Sequence, residues 1–284
     1  MKLRKKRLSR STGGDLFIFL FLTAGAVFTA APLILIISGA FKPLDELFLF
    51  PPQFFVRNPT MQNFQDLFVL MGEAWIPMSR YLFNSLFIVV AGLGGNVILA
   101  SLAAYAMSVH EFPGQKIFNE MIILSLMFAQ QVVEIPNYLT MSILGWINSY
   151  ASIIVPAWQV SLGLYLMKQF MDAMVDDSLI EAARIDGAGE LQIYWKIVMP
   201  IIKPAWLTLI ILRFQHLWQQ SGERFLYSEE LKPLPYALRQ IMAGGIARQG
   251  VSYAVMLIMM AVPIIVFIIN QSKVVETMGT SGID

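Results

Sequence analysis

The stretch EAARIDGAGELQIYWKIVMP, residues 181–200, is a polar interruption in an otherwise apolar sequence. It brings acids, bases, two glycines and a closing proline into a chain of 284 residues that is 57% hydrophobic and only 14% charged. An interruption of this kind between long apolar segments indicates a folded loop that lies outside a membrane.

The composition of the whole chain favours a membrane protein over a soluble one. Its net charge of +1 gives no indication of nucleic-acid binding. The absence of cysteine excludes disulfides, thiolate metal sites and cysteine nucleophiles. Because only His110 and His216 are available for imidazole chemistry, the sequence also argues against a zinc site built on histidines.

The predicted fold is an all-α membrane protein with six transmembrane helices, because six apolar runs approach the length of about 20 residues that a span needs. The predicted spans are residues 16–41, 82–109, 117–136, 150–171, 205–222 and 251–271. The first run follows a basic head, as in a signal peptide, but it exceeds the roughly 7–15 residues of a signal core, so we predict an uncleaved helix.

The distribution of lysine and arginine predicts that both chain ends lie in the cytoplasm. With the N-terminus inside, the inner segments and the inner end of the fourth span carry twelve of these residues, and the outer segments carry seven. Residues 1–15 then form a basic cytoplasmic head and residues 272–284 a cytoplasmic tail. Residues 172–204 become a cytoplasmic loop between the fourth and fifth spans.

Within this loop, the sequence predicts a short helix with its own start and stop signals. Ser178 with Glu181 three residues later is the pattern of a capping box, which places the helix start near Leu179. Gly187 and Gly189 provide the stop, because glycine readily adopts the left-handed conformation that ends helices. Such a short, separately capped helix is suited to docking into a groove of another protein.

A second helix is predicted to follow the glycine bend. It begins at Glu190 and ends near Pro200, because a proline inside a helix removes a hydrogen bond and clashes with the preceding turn. Pro204 then fits the first turn of the fifth span.

The loop resembles the EAA loop of membrane subunits in bacterial ABC importers, whose pattern is EAA, three residues, G, nine residues, I, one residue, LP. The matching positions are Glu181-Ala182-Ala183, Gly187, Ile197 and Met199-Pro200, with methionine in place of the usual leucine. The wider sequence, including NSLFIVV, ASLAAYAMS, HEFPG and IVPAW, is similar to the MalG-type permease subunit of carbohydrate importers from about residue 80 to the C-terminus.

This resemblance implies a non-catalytic, multi-pass subunit of the bacterial cytoplasmic (inner) membrane. A second, MalF-like permease would form the other half of the pathway for a sugar, and an extracellular solute-binding protein would deliver it. Two identical or different ATPase subunits would bind ATP and Mg, so this chain would carry no cofactor of its own. The residues implied to couple to the ATPase are Glu181, Ala182, Ala183, Arg184, Asp186, Gly187 and Pro200.

Polar residues in the fifth predicted span are candidates for the substrate pathway, because they are costly against lipid and are expected to face the bundle or a wet cavity. The candidates are Arg213, Gln215, Trp218 and Gln219. Trp218 with Gln219 could offer a sugar an aromatic face beside a hydrogen-bonding group. The related permeases often have Trp-Asn-Asp where this chain has Trp-Gln-Gln, and an interhelical polar network is the alternative.

The second predicted span carries a stripe of small residues at every fourth position, which favours close helix packing rather than a substrate track. The stripe comprises Gly92, Asn96, Ala100, Ala104 and Ser108. Asn84 and Asn96 are expected to find hydrogen-bond partners inside the bundle.

Three other functions fit the sequence less well. An ABC importer for a non-sugar solute would share the same loop. A self-sufficient secondary transporter typically has internal repeats and coupling carboxylates, whereas the sequence shows no repeat and Glu134 is the main acidic residue within a predicted span. An intramembrane enzyme would need converging catalytic groups, and neither HExxH nor GxSxG occurs.

Overall fold

The structure, a computed structural model, describes residues 12–51, 53–72, 76–128, 130–159, 161–245 and 248–280. Most of the basic head predicted for residues 1–15 and the last four residues of the predicted tail lie outside this set. Within the described residues, all regular secondary structure is helical.

The described residues form a series of helices along the chain. They are α1 (Thr12–Phe41), α2 (Leu44–Leu47), α3 (Gln62–Gly72), α4 (Met78–Val109), α5 (Gln115–Met127), α6 (Gln130–Ile143), α7 (Ala151–Trp158), α8 (Ser161–Met174), α9 (Asp177–Ile185), α10 (Glu190–Ile193), a π-helical segment (Tyr194–Val198), α11 (Met199–Ile201), α12 (Lys203–Trp218), a 3₁₀ turn (Glu229–Leu231), α13 (Leu234–Met242) and α14 (Gln249–Thr280).

The chain divides into two compact units. Residues 1–70 with 241–258 form the first, and residues 71–240 with 259–284 form the second. In the first unit, the buried Asn63 side chain donates hydrogen bonds to the carbonyls of Ala40 and Lys42, at 3.0 and 2.7 Å. These bonds hold the chain segment that follows α1 against α3. The second unit contains the loop that interrupts the apolar sequence.

Three of the six predicted spans are single helices of spanning length and apolarity: residues 13–41 of α1, all of α4, and residues 249–269 of α14. Four boundaries differ from the prediction, and two of them are the slightly earlier starts of α4 at Met78 and of α14 at Gln249. α1 already begins at Thr12, and α14 continues to Thr280, so most of the segment assigned to a C-terminal tail is helical. Helices extend beyond their apolar stretch because backbone hydrogen bonding does not depend on hydropathy.

The prediction of one continuous helix over 117–136 is wrong. The segment belongs to two helices, α5 and α6, whose axes differ by 108°. Phe128, which follows α5, has an extended backbone. Polar residues at 130, 131 and 134 lie in the last third of the apolar run, and a hydropathy average over the whole run conceals them.

The prediction of one continuous helix over 150–171 is also wrong, because α7 ends at Trp158 and α8 begins at Ser161. The backbone carbonyl of Trp158 accepts a hydrogen bond from the amide of Asn96 at 2.9 Å, and its indole donates to the carbonyl of Ala91 at 2.9 Å. These side-chain contacts with α4 stabilise the break by giving partners to polar groups at the helix end.

The fifth predicted span corresponds to α12, which starts at Lys203 with Pro204 in its first turn, as predicted. It ends at Trp218 rather than at residue 222. The axis of α12 is bent by 75° from that of the helical segment 190–201, and only the two together reach the length and apolarity of a span.

The small-residue stripe of α4 packs against other helices, as predicted. Ala100 and Ala104 are buried, and a methyl group added at Gly92 would lie 3.2 Å from Leu217 and 3.3 Å from Ala157. Asn84, also predicted to find a partner, donates to the carbonyls of Glu230 and Lys232. The stripe is therefore a packing seam of the second unit.

Two adjacent glycines of α4 allow a direct test of this seam. A methyl group at Gly95 would overlap the indole of Trp158, whereas one at Gly94 would meet no atom of the described chain within 4 Å. We expect Gly95→Ala to destabilise the protein by about 1–3 kcal/mol through overpacking. Gly94→Ala should be neutral or slightly stabilising, because alanine is a better helix former. Thermal unfolding of the two variants in detergent, compared with the unmodified protein, measures the difference.

Candidate functional site

The short helix predicted in the loop is α9, but its first turn is capped differently from the prediction. Asp176 is the N-cap, and its carboxylate accepts a hydrogen bond from the backbone N–H of Ser178 at 2.9 Å. This bond lowers the pKa of Asp176. The predicted capping box is therefore wrong, because Ser178 lies inside the helix and Asp176 takes the capping position. Glu181 is exposed and does not act as a cap residue.

The end of α9 is the glycine stop that the sequence predicts at Gly187. Gly187 has φ +84°. Its N–H donates to the backbone carbonyl of Arg184 at 3.0 Å, and the N–H of Ala188 donates to the backbone carbonyl of Ala183 at 3.0 Å. These paired bonds define a Schellman motif. Gly189 differs from the prediction: its φ is −74°, and it is the residue before α10 rather than part of the stop.

One face of α9 is anchored in the core of its own chain. Ile180 and Ala183 are buried, and they belong to the same apolar cluster as Met171 of α8 and Tyr194 of the π-helical segment. Ala183, predicted to couple to a partner, therefore packs α9 against the core of its own chain.

The opposite face of α9 is open. Glu181, Ala182 and Ile185, spaced to lie on one side of a helix, are exposed, and we call these three residues the docking face. Ile185 exposes 87% of its surface, and Leu191 beyond the turn exposes 70%. Arg184, Asp186 and Gly187, the remaining predicted coupling residues of this helix end, are exposed as well.

Large apolar side chains at such exposure mark interaction surfaces when they lie close together. The sequence analysis missed Ile185 and Leu191, although an isoleucine between an arginine and an aspartate was the available signal.

A cluster around Glu190 joins the two sides of the glycine turn. Its carboxylate accepts hydrogen bonds from the hydroxyl of Tyr105 at 2.6 Å and from Nε of Arg184 at 2.8 Å, and Nε2 of His110 lies 3.4 Å away. The hydrogen bond from Arg184, followed by that from Tyr105, lowers the pKa of Glu190. The same bond raises the pKa of Arg184.

The segment that leads from the loop into α12 contains a π-helical turn. The N–H of Met199 donates to Tyr194 five residues earlier, and the hydroxyl groups of Tyr194 and Ser101 are 2.6 Å apart. Pro200 follows directly, and the helix continues to Ile201, one residue beyond the predicted end. A widened turn suits this position, because proline offers no N–H to the preceding turn.

The structure separates the four candidates of the substrate pathway. Trp218 is buried, stacks on Phe214 at 5.9 Å and donates to the carbonyl of Met259 at 3.2 Å. Gln215 and Gln219 are exposed. Arg213 is half-buried, and its Nε has no hydrogen-bond partner among the described residues. Trp218 and Gln219 therefore do not share one surface, and substrate contact stays a prediction for these residues.

Residues 81–222 match the family of binding-protein-dependent transport system inner membrane components. The chain belongs to this family. The matched region runs from α4 to just beyond the end of α12 and includes the whole loop 172–204. The protein is thus a membrane permease subunit of a binding-protein-dependent transporter and not an enzyme, which confirms the resemblance seen in the sequence.

Several characterised permeases are similar to this permease over most of their length. The arabinooligosaccharides transport system permease AraQ of Halalkalibacterium halodurans is 27% identical over 281 residues, which cover 93% of this chain and 94% of the relative. The polygalacturonan/rhamnogalacturonan transport system permease YtcP of Bacillus subtilis is 28% identical, with coverages of 83% and 80%. The sn-glycerol-3-phosphate transport system permease UgpE of Yersinia enterocolitica is 29% identical, with coverages of 73% and 74%.

A solved structure shares the fold of the permease. It is a bacterial ABC transporter involved in the import of the acidic polysaccharide alginate, and one of its chains superposes with a TM-score of 0.80 at 23% identity. The match covers 94% of this chain and 99% of that chain. The overall fold of this chain is therefore shared with a chain of that transporter.

Proposed function

We propose that the permease forms half of the translocation pathway of an ATP-driven importer of oligosaccharides. The observation that carries the proposal is α9, a separately capped helix with one face in the core and the other open. Two relatives with oligosaccharide or polysaccharide substrates in their names support the substrate class. The glycerol-phosphate relative keeps importers of non-sugar solutes as the alternative.

The proposed assembly follows the family's organisation. The permease would cross the bacterial inner membrane six times, with both ends and the loop 172–204 in the cytoplasm, and the broken segments α5–α6 and α7–α8 would each form one span. A second, MalF-like permease would complete the pathway, and an extracellular solute-binding protein would deliver the sugar. Two ATPase subunits would bind ATP and Mg and contact the docking face of α9.

The proposed mechanism is a lever. Closure of the ATPase subunits on ATP would move α9, and the glycine turn would pass this movement to the helical segment 190–201. Because that segment meets α12 at a 75° bend, its displacement would turn α12 relative to the rest of the bundle. α8 would move as well, since Met171 shares a core cluster with Ile180.

The proposed pathway contacts come from two exposed amides, Gln215 of α12 and Gln219 directly after it. We expect Gln219→Ala to raise the substrate concentration needed for half-maximal uptake several-fold, by removing a hydrogen bond worth roughly 1 kcal/mol. Leu212→Ala, at an exposed apolar position of the same helix, is the matched control. Uptake of radiolabelled oligosaccharide by intact cells measures both. An equal effect of the two changes would show that the loss is not specific to Gln219 and would contradict the proposed contact.

Gentle extraction of the tagged permease from its native membranes tests the assembly. We expect stoichiometric co-purification of a soluble ATPase and a second multi-span permease, identified by mass spectrometry. The associated binding protein, screened against oligosaccharides and phosphorylated polyols by thermal shift, then separates sugar import from the alternative. Recovery of the intact permease alone, at good yield, would contradict the proposal and favour a self-sufficient transporter.

A further inference from the structure

We infer that Glu190 is a positioning residue that fixes the glycine turn to the end of α4, so that a movement of α9 reaches α4 as well as α12. This inference rests on the proposed coupling role of α9. Its basis is a single carboxylate that connects its own helix, α10, to α9 and to the end of α4.

The contacts come from both sides of the turn. Arg184 belongs to α9, before Gly187, and donates to one carboxylate oxygen at 2.8 Å. Tyr105, in the last two turns of α4, donates to the other oxygen at 2.6 Å, and His110 follows α4 directly. Glu190 itself is the first residue of α10. One side chain therefore holds α4, α9 and α10 together.

Besides this cluster, the backbone bonds of the turn and the apolar packing of Ile180, Ala183 and Ile193 define the angle between α9 and α10. The Schellman motif fixes the local turn but leaves only two residues, Ala188 and Gly189, between Gly187 and α10. Glycine has more backbone freedom than any other residue. Rotation about the backbone of Gly189 would therefore allow α10 to move independently of α9. The hydrogen bond between Arg184 and Glu190 spans the turn and restricts this rotation.

Aromatic packing connects the cluster to the π-helical segment. The ring of Tyr105 lies edge-on to those of His110 and Tyr194, at 5.8 and 5.6 Å between centroids. Tyr194 in turn contacts Ser101 of α4 through its hydroxyl. The helical segment that leads to α12 is thus attached to α4 at two points, one of them the carboxylate.

The chemistry of the cluster requires an ionised carboxylate. A carboxylate is only an acceptor, and both of its oxygens here receive donors. A glutamine has the same shape but no charge. If its N–H groups faced Arg184 they would meet no acceptor, and if they faced Tyr105 the hydroxyl would have to accept a hydrogen bond instead of donating one. Glu190→Gln therefore removes the charge assistance from the hydrogen bonds of the cluster with almost no change in volume.

We expect Glu190→Gln to lower the amount of sugar transported per ATP hydrolysed by about tenfold, the effect of losing one charge-assisted hydrogen bond. ATPase subunits should still co-purify, because the docking face is unchanged. The assay uses the complete transporter in proteoliposomes with internal ATP, and it measures uptake and phosphate release in the same sample. Asp177→Asn, at an exposed carboxylate in the first turn of α9, is the charge-matched control and should couple normally.

Tyr105→Phe provides a second variant, since it removes one donor and leaves the carboxylate in place. Its uncoupling should be weaker than that of Glu190→Gln, and the double variant should be less than additive because the two residues act through one bond. A merely structural role would lower the yield of the complex without changing the ratio of transport to hydrolysis.

Unchanged coupling in both variants, in complexes that retain their ATPase, would overturn the inference and leave the proposed function intact. Failure of the unmodified permease to bind any ATPase would instead remove the proposed function on which the inference rests. The two failures are therefore distinguishable in the same set of preparations.

Discussion

Gly187→Val is expected to abolish transport while the permease still inserts into the membrane. Gly187 has φ +84°, a conformation that a β-branched residue adopts only with strain. A Cβ atom added at Gly187 would meet no atom of the described chain within 4 Å, so we expect the effect to come from the backbone rather than from a clash. Loss of the left-handed turn would break the two Schellman bonds and turn α9 away from Glu190. Oligosaccharide uptake by cells measures the loss, and immunoblotting of membrane fractions measures insertion.

Two further variants separate backbone conformation from side-chain size. Gly187→Asn should retain partial transport, because asparagine tolerates the left-handed region better than other residues with a Cβ atom. Gly189→Ala should be nearly silent, since its φ of −74° is open to alanine and its surroundings in the described chain are empty. Full transport by Gly187→Val would contradict a lever that depends on this turn.

Ile185→Glu is expected to detach the ATPase subunits and to reduce their recovery with the permease by more than tenfold. Ile185 is 87% exposed at the last turn of α9, so the change leaves the fold of the permease intact. In a docked complex, the new carboxylate would be buried without a partner, which costs several kcal/mol. Quantitative mass spectrometry of the tagged complex measures the ratio of ATPase to permease.

Two comparisons control this experiment. Ile185→Met keeps an apolar side chain of similar volume and should retain the ATPase. The second permease should remain bound in both variants, because the proposed contact between the two permeases does not involve α9. Equal ATPase recovery with Ile185→Glu and Ile185→Met would show that the docking face lies elsewhere.

The sequence predicted the features that local chemistry determines. The glycine stop at Gly187 follows from a residue that freely takes positive φ after a helical pattern, and the start of α12 follows from Pro204. The predicted cap of α9 is wrong because DDS, residues 176–178, provides three consecutive residues of types that are strong N-caps. Apolar length found α1, α4 and α14, which are uniform along their spans.

The features that escaped prediction depend on residues far apart in the chain. Whether the fourth span breaks after Trp158 depends on an amide of α4, 62 residues away, that bonds the freed carbonyl. The carboxylate of Glu190 meets Tyr105 across 85 residues, and no spacing rule connects the two. Burial likewise divides Ala182 from Ala183, since only the packing of α9 decides which alanine faces the core.

The central claim is that the docking face of α9 contacts an ATPase, and a single cysteine tests it most directly. The chain contains no cysteine, so Ala182→Cys introduces the only thiol of the permease, at an exposed position. It would be labelled with a short photoreactive maleimide in the assembled complex and irradiated, and the cross-linked species identified by mass spectrometry. We predict a covalent product with the ATPase subunit. A product with the extracellular binding protein, or none with the ATPase in a complex that contains it, would contradict the account.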